Sequence, residues 1–158
     1  MKSEKSTFWN RDNARANIEK YCAYQERSHD EVRYKLISHG IYGDLLEELI
    51  SHLIEHNYLN EERFAVQYAG GKFRIKKWGR LKIAAALKAK GVSSYSIRVA
   101  LEQIPDDDCR EAVFYWIEKR GGFDKDSSYE DKMLMVRYLL SKGFENEVID
   151  SCLRDSGK

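Results

Sequence analysis

Hydrophobic and polar positions along the chain repeat three times in one register. In each repeat a hydrophobic residue stands eight positions before a glycine, a leucine stands four before it, and a hydrophobic residue follows it. The three sets are Val32, Leu36, Gly40 and Ile41; Ile83, Leu87, Gly91 and Val92; and Met135, Leu139, Gly143 and Phe144. Spacings of four residues put side chains on one helix face, and glycine readily adopts the positive φ of a helix C-terminus. The pattern therefore predicts three helices that each end at a glycine.

Each of these glycine-terminated helices is predicted to lie between two others. Hydrophobic residues recur six and ten positions after the three glycines, at Leu46 and Ile50, Ile97 and Leu101, and Ile149 and Leu153. Helices are also predicted over residues 13–27, 61–73 and 107–120, ahead of each glycine-terminated helix. Ser28, Asn60 and Asp106 carry side chains that commonly cap helix starts, and we expect them to do so here.

The three glycines are 51 and 52 residues apart, which indicates an internal repeat. No segment predicts a β-strand. We therefore expect an all-α fold of about nine helices, arranged as three tandem three-helix repeats. The expected organisation is an N-terminal tail at residues 1–12, repeat 1 at 13–59, a basic repeat 2 at 60–104 and repeat 3 at 105–158.

Composition narrows the class of protein without changing the predicted fold. Of the 158 residues, 42% are hydrophobic and one is proline, which excludes a disordered tail, a collagen-like chain and a proline-rich linker. No stretch predicts a membrane span, and the first residues lack the apolar core of a signal peptide. Cys22, Cys109 and Cys152 are widely spaced, so we expect free thiols and a reducing cytoplasm.

Candidate catalytic and metal-binding chemistry is sparse. His52 and His56 stand four positions apart, but no third ligand lies nearby, so we expect a solvated helix face rather than a metal site. The chain lacks phosphate-loop, dinucleotide-binding and nucleophile-elbow motifs. Its paired carboxylates fall at predicted helix starts or on helix faces rather than in a predicted cleft. We therefore expect no enzyme, no metal and no cofactor.

The net charge of +1 conceals an uneven distribution. Residues 1–60 carry 8 basic and 10 acidic groups, residues 61–104 carry 10 and 3, and residues 105–158 carry 9 and 13. No acidic residue lies between Arg63 and Leu101. The cations in that window are Lys72, Arg74, Lys76, Lys77, Arg80, Lys82, Lys88, Lys90 and Arg98. Because charges of one sign raise the local potential, repeat 2 is the predicted binding surface for phosphates or for an acidic protein.

The alternative to a binding surface is a solvated face of repeat 2 whose positive charge is neutralised by the acidic repeats on either side.

Trp78 and Gly79 are predicted to form the turn that enters the middle helix of repeat 2. In that turn Trp78 is expected to be a packing anchor rather than a platform for stacked bases. Lys82 and Lys88 are expected to point away from the hydrophobic stripe of the same helix.

Three passages resemble the RecX family of recombinase regulators. They are SHDEVRYKL at 28–36 with Gly40 and Ile41, YLNEERFA at 58–65 with Tyr68, and KWGRLKI at 77–83 with Leu87, Lys90 and Gly91. The third repeat matches more loosely through LLSKGF at 139–144, so that the resemblance spans about residues 13–154. Arg80 stands where family members often have proline. Ala69, Gly70 and Gly71 stand where they tend to have Val-Arg, and the glycines are expected to fray or kink the fourth helix.

The resemblance implies tandem repeats in an elongated, curved arrangement. It implies a non-catalytic, cytoplasmic protein of recombinational repair and the SOS response, which lies in the groove of the RecA recombinase filament and inhibits strand exchange and ATP hydrolysis. Weak binding to single- or double-stranded DNA is implied too, and we expect a monomer without a membrane partner. The nine cations of repeat 2 are the expected contacts. Two alternatives stay open: a helix-turn-helix regulator that binds specific DNA sequences, and a helical scaffold that binds only protein.

Overall fold

Nine α-helices form residues 8–157, the part of the chain that the computed structural model describes, and no strand occurs within it. Residues 1–7 of the predicted tail lie outside the described residues. The helices are α1 Arg11–Tyr24, α2 His29–Ser38, α3 Gly43–Glu55, α4 Glu61–Gly71, α5 Arg80–Ala89, α6 Ser94–Glu102, α7 Asp106–Lys119, α8 Tyr129–Ser141 and α9 Asn146–Ser156. We call α1–α3 unit 1, α4–α6 unit 2 and α7–α9 unit 3. The predicted all-α fold of three-helix units in tandem is confirmed.

The middle helix of each unit ends at its predicted glycine. Gly40, Gly91 and Gly143 have φ values of 83°, 79° and 94°. In each unit the N–H of the hydrophobic residue after the glycine bonds back to the leucine carbonyl, over 2.9 Å, 3.1 Å and 3.4 Å in units 1 to 3. These turns satisfy carbonyls that the helix leaves without partners, and they fold the next hydrophobic side chain onto the last turn.

The predicted caps have different outcomes. The Asn60 side chain accepts the Arg63 N–H over 2.9 Å, and the Ser28 hydroxyl accepts the Glu31 N–H over 3.1 Å, as predicted. The prediction for Asp106 is wrong. Pro105 occupies the cap position of α7 and Asp106 is the first helical residue, so the Asp106 carboxylate is free to turn away from the helix start.

The fourth helix changes geometry at its glycines. Helix α4 ends at Gly71, and the chain continues as one π-helical turn over Lys72–Lys76. That turn stops at Lys77, whose φ is 52°. Gly71 itself has helical backbone angles, with φ of -65° and ψ of -47°. The predicted fraying or kinking at the glycines stays a prediction, and the observed change is from α-helical to π-helical hydrogen bonding after them.

The hydrophobic residues form two cores rather than three. One core lies within unit 1 and includes Ile18, Leu36 and Leu53, each fully buried. The other is shared by units 2 and 3 and joins residues such as Leu87 and Leu139. The repeat in the sequence therefore gives three similar units, two of which fold around one core.

The glycine end of a middle helix meets the start of the middle helix in the preceding unit. At the junction of units 2 and 3, the Gly79 N–H donates to the Lys142 carbonyl over 2.7 Å and the Leu81 N–H to the Gly143 carbonyl over 2.9 Å. A Cβ on Gly79 would lie 2.3 Å from the Gly143 carbonyl, so only glycine permits this approach. At the junction of units 1 and 2, Gly91 packs against the Asp30 side chain instead.

The residues before α1 pack on the glycine end of α2. The Trp9 N–H donates to the His39 carbonyl over 2.9 Å, and the Trp9 and His39 rings stack with centroids 4.0 Å apart. Helix α1 then begins at Arg11, because the Asn10 side chain accepts the N–H groups of Asp12 and Asn13. The described end of the predicted tail is thus attached to unit 1.

Candidate partner-binding surface

The nine predicted cations lie at three separate places in the structure. Five surround the π-helical turn and the start of α5: Lys72, Arg74, Lys76, Lys77 and Lys82. Two, Arg80 and Lys90, form ion pairs that join neighbouring units. The other two, Lys88 and Arg98, lie along a groove between α5 and α6.

Trp78 holds two ammonium groups over its ring. The Lys72 Nζ lies 5.1 Å from the ring centroid and the Lys82 Nζ lies 4.9 Å from it. The indole is half-buried against the core of units 2 and 3, which confirms its expected role as a packing anchor. Cations at this distance are attracted by about 0.5–1 kcal/mol each. The indole therefore fixes two positive charges at the surface.

The same arrangement continues across the junction into unit 3. The Lys77 Nζ lies 4.9 Å from the Tyr115 ring, and the Trp116 Nε1 donates to the Lys77 carbonyl over 2.8 Å. Lys142 then lies 4.2 Å over the Trp116 ring. We call this region the cation–aromatic surface, which comprises Lys72, Lys77, Trp78, Lys82, Tyr115, Trp116, Lys119, Arg120, Tyr138 and Lys142.

Three cations of this surface are not among the predicted residues: Lys119, Arg120 and Lys142. They belong to unit 3, where acidic groups outnumber basic ones. Three acids of α7 stand in its first turn, Glu111 and Glu118 follow along the helix, and Lys119 and Arg120 stand at its end. Because the two cations outnumber Glu118 at that end, counting charge by helix end rather than by unit is the signal that would have identified them.

The π-helical turn extends the surface at one edge. Arg74 and Lys76 are exposed there, and Ile75 between them is 80% exposed. Arg74 and Lys77 also line a pocket with Asp108 and Glu111 of α7. Acidic groups of unit 3 therefore lower the potential at this edge, in line with the predicted alternative. Within residues 8–157 the two lysines over the Trp78 ring, Lys72 and Lys82, form no ion pair.

Arg80 is used inside the molecule. Its guanidinium donates to the Glu145 carboxylate over 2.9 Å and 3.2 Å, to the Ile104 carbonyl over 3.2 Å and to Asp106. Burial opposes the charge, but the hydrogen bonds to Asp106 and Glu145 outweigh it and raise the pKa of Arg80 above its ordinary value. Arg80 thus ties unit 2 to unit 3.

Lys90 has the corresponding position at the other junction. Its Nζ lies 3.2 Å from the Glu31 carboxylate and 5.6 Å from the Tyr68 ring centroid. Arg63 joins the same two units through Glu26. These charges are engaged between units 1 and 2, so they contribute less to an outward-facing surface.

Lys82 and Lys88 point away from the buried stripe of α5, as expected. Ile83 and Leu87 are fully buried, whereas Lys82 is half-buried and Lys88 is exposed. Lys88 and Arg98 have no acidic partner within ion-pair distance among residues 8–157. Lys82 lies over the Trp78 ring and Lys88 lines the groove between α5 and α6, so the two lysines lie on different faces of α5.

The cysteines and histidines are accounted for by packing and local hydrogen bonds. All three thiols are buried and free, and burial raises the pKa of Cys22 and Cys109 to about 11. The His52 Nε2 lies 2.8 Å from the Glu19 carboxylate. Within the described residues no group of three His, Cys, Asp or Glu side chains is placed to hold a metal, and no helix there is long and apolar enough to cross a membrane.

Two family models match the chain. The model of the second three-helix domain of RecX matches residues 60–101, and that of the third three-helix domain matches residues 106–153.

Similar relatives include the regulatory protein RecX of Clostridium perfringens, strain 13, which is 33% identical over 131 residues. That match covers 81% of this chain and 61% of the relative. The regulatory protein RecX of Bacillus mycoides is 26% identical over 136 residues, or 85% and 50%. The chain thus spans about half the length of the Bacillus relatives that it matches.

Solved structures give the same result. The crystal structure of RecX from Lactobacillus salivarius superposes with a TM-score of 0.82 at 26% identity, covering 92% of this chain and 95% of that one. A second crystal structure, of a regulatory protein RecX, has a TM-score of 0.77 at 18% identity and supports the fold. With both domain models matched in order on units 2 and 3, the resemblance seen in the sequence is confirmed, and this chain belongs to the RecX family of regulatory proteins.

Proposed function

We propose that this chain binds the filament of a RecA-type recombinase and inhibits its strand exchange and ATP hydrolysis, as a non-catalytic cytoplasmic regulator of DNA repair. The observation that carries the proposal is the cation–aromatic surface. Its six cations, together with Arg74 and Lys76, form no ion pair with another described residue. A nucleoprotein filament presents both DNA phosphates and acidic protein groups, which are the partners that such a surface attracts.

The surface favours weak DNA binding without sequence preference. Ammonium groups already lie over the faces of Trp78 and Trp116, so these rings are not open platforms for stacked bases. The cations stand at helix ends and on the π-helical turn rather than along one exposed helix that could enter a DNA groove. Lysine contacts to phosphate carry no sequence information. This arrangement supports a filament regulator over the helix-turn-helix alternative.

The central test reverses three charges around the junction of units 2 and 3. In the variant Lys77→Glu, Lys82→Glu, Lys142→Glu, Arg80 is kept because it stabilises the fold. We expect the variant to lose most of its inhibition of recombinase ATPase, measured on single-stranded DNA with a coupled assay. The matched control reverses the exposed Lys20, Lys125 and Lys132, which gives the same net charge, and should inhibit like the wild type. Full inhibition by the junction variant, with its helical circular dichroism intact, would contradict the proposal.

DNA binding separates the remaining alternatives. Fluorescence anisotropy with labelled oligonucleotides should show weak affinity that falls steeply as salt rises, equally for unrelated sequences. Discrimination between sequences by orders of magnitude at physiological salt would indicate a sequence-specific regulator. Retention of the recombinase with no DNA binding even at low salt would indicate a scaffold that binds only protein.

A further inference from the structure

An open groove of about 480 Å³ lies between α5 and α6 of unit 2. Small and aliphatic side chains line it: Ala84 and Ala85 from α5, and Ile97 and Leu101 from α6. Leu81, one turn before Ala85 on the same helix, is 53% exposed. The groove is thus bounded by an apolar surface that this chain leaves uncovered within residues 8–157.

In unit 1 side chains occupy the equivalent place. Positions in unit 1 precede those of unit 2 by 51 residues, the distance between Gly40 and Gly91. Ala84 therefore corresponds to Arg33, and Arg98 corresponds to Glu47. In unit 1 these two residues cross the space between α2 and α3, with Arg33 donating twice to Glu47 over 2.7 Å and 3.2 Å. Unit 2 has alanine at the position of the crossing arginine and the opposite charge at the position of its partner.

The reversal leaves a carboxylate-binding group without a carboxylate. Arg98 and Lys88 are exposed and unpaired within the described chain, and the Arg98 guanidinium lies 5.5 Å from the Tyr95 ring. Glu102 and Arg80 also line the groove, and Arg80 is paired with Asp106 and Glu145 of unit 3. Guanidinium and carboxylate form paired hydrogen bonds of matching geometry, as Arg33 and Glu47 show in unit 1.

We propose that this groove binds an acidic, amphipathic segment of a partner protein. A hydrophobic side chain of the segment lies on Ala84, Ala85 and Ile97, and a neighbouring carboxylate takes the place on Arg98 that Glu47 has beside Arg33. The aliphatic floor favours a protein segment over nucleic acid, because phosphates and bases gain little from alanine and isoleucine.

The groove is a second site, beyond the proposed function of the cation–aromatic surface. Lys82 belongs to that surface, whereas Lys88 belongs to the groove. Because the two lysines are six residues apart, they point in directions about 120° apart around the axis of α5. The two sites can therefore be altered independently, and the failure of one proposal leaves the other standing.

The test restores the pair of unit 1 in unit 2. In the double variant Ala84→Arg, Arg98→Glu the new side chains are expected to bridge α5 and α6 and close the groove. The probe is a short fluorescein-labelled peptide of repeating glutamate and leucine, titrated at physiological salt. We expect the affinity of the protein for the peptide to fall by about tenfold or more, because the variant loses one charged contact and the apolar surface of the groove. Lys125→Gln, which changes net charge by the same amount, should bind the peptide like the wild type.

A second variant and two further measurements complete the test. If the double variant loses its helical circular dichroism, the single variant Arg98→Gln is used instead. We expect it to lower the affinity for the peptide several-fold. Amide chemical shifts should move at Ala84, Ile97 and Leu101 on titration. The variant Lys77→Glu, Lys82→Glu, Lys142→Glu should keep peptide binding, which separates this site from the proposed function. Unchanged peptide affinity in folded groove variants, an equal loss in Lys125→Gln, or displacement of the peptide from the groove by single-stranded DNA would overturn the proposal.

Discussion

The two junctions between units are built from different interactions. Between units 2 and 3, backbone hydrogen bonds join Gly79 to Lys142 and Leu81 to Gly143, and the hydrophobic core runs through the boundary. Between units 1 and 2, ion pairs such as that of Lys90 with Glu31 connect two separate cores. A polar cleft of about 310 Å³ lies at this second boundary, lined by Glu26, Glu31, Tyr68 and Lys90 among others.

This difference shows that one repeated helix pattern supports both a packed junction and a polar one. The backbone contact at Gly143 brings the end of α8 within hydrogen-bond distance of the start of α5. The contact at Gly91 passes through a side chain, that of Asp30, which keeps the neighbouring unit at a distance that polar groups can fill. Units 2 and 3 are therefore expected to move as one body, with unit 1 attached through polar contacts.

The largest contrast is expected from replacing the two glycines with alanine. Gly143→Ala places a Cβ 2.6 Å from the Lys82 backbone nitrogen in a residue with φ of 94°, so we expect a loss of about 3 kcal/mol in the free energy of unfolding. In Gly91→Ala the atoms nearest to the added Cβ belong to the Asp30 carboxylate, which can rotate away, so this variant should cost about 1 kcal/mol. Urea unfolding of both variants measures the difference. Equal losses would mean that the two junctions are equally tight.

The next contrast compares the two bridging cations. Arg80→Ala removes hydrogen bonds to Glu145, Asp106 and the Ile104 carbonyl, and we expect a loss of about 2–3 kcal/mol, since a part-buried carboxylate is left without its partner. Lys90→Ala removes one ion pair whose lysine is 36% exposed and should cost less than about 1 kcal/mol. Arg80→Lys is the control for geometry. It should recover only part of the loss, because a lysine cannot donate to three partners in the guanidinium geometry.

Separate cores predict separate opening. Helices α5 and α8 share a core, whereas α2 belongs to the other core. In hydrogen exchange with mild guanidinium chloride, we expect the opening that exposes the α2 amides to cost at least about 1 kcal/mol less free energy than the opening that exposes those of α5 and α8. Mass spectrometry of the peptic fragments provides the measurement. A single opening with one free energy for all three helices would show that the polar junction transmits unfolding as well as the packed one.

The smallest expected effect concerns a titrating pair inside unit 1. The hydrogen bond from His52 lowers the pKa of the Glu19 carboxyl below its ordinary value of 4.5. The ionised carboxylate therefore stabilises unit 1 above pH 4.5, and this contribution is lost as the pH falls through the lowered pKa. Glu19→Gln should lower the Tm at neutral pH and converge with the wild type in acid. A Tm difference that stays constant down to acid pH would contradict this role.

Local features of the fold follow from the sequence, because the interactions that produce them are local. The glycine ends of α2, α5 and α8 depend on residues within one helical turn, and so does the cap at Asn60. Each of these features needs no knowledge of how the units dock.

The composition of the candidate surface depends on docking and could not be predicted in the same way. Arg80 is a free cation in the sequence and becomes part of the junction only when Glu145, 65 residues later, comes within hydrogen-bond distance. Lys142 joins the cation–aromatic surface because its helix end meets the start of α5. The role of the nine cations as contacts stays a prediction, and the structure gives the variants that test it.

The contact between α8 and α5 has an electrostatic consequence for the basic surface. Aligned peptide dipoles place positive partial charge at a helix N-terminus, which disfavours cations such as Arg80 and Lys82 in the first turn of α5. The C-terminal carbonyls of α8 bring the opposite partial charge to that same point. The opposite partial charges therefore offset each other where the two helix ends meet. Lys82 and Lys142 therefore lie together at a helix start without opposing its field, and this compensation exists only while units 2 and 3 stay joined.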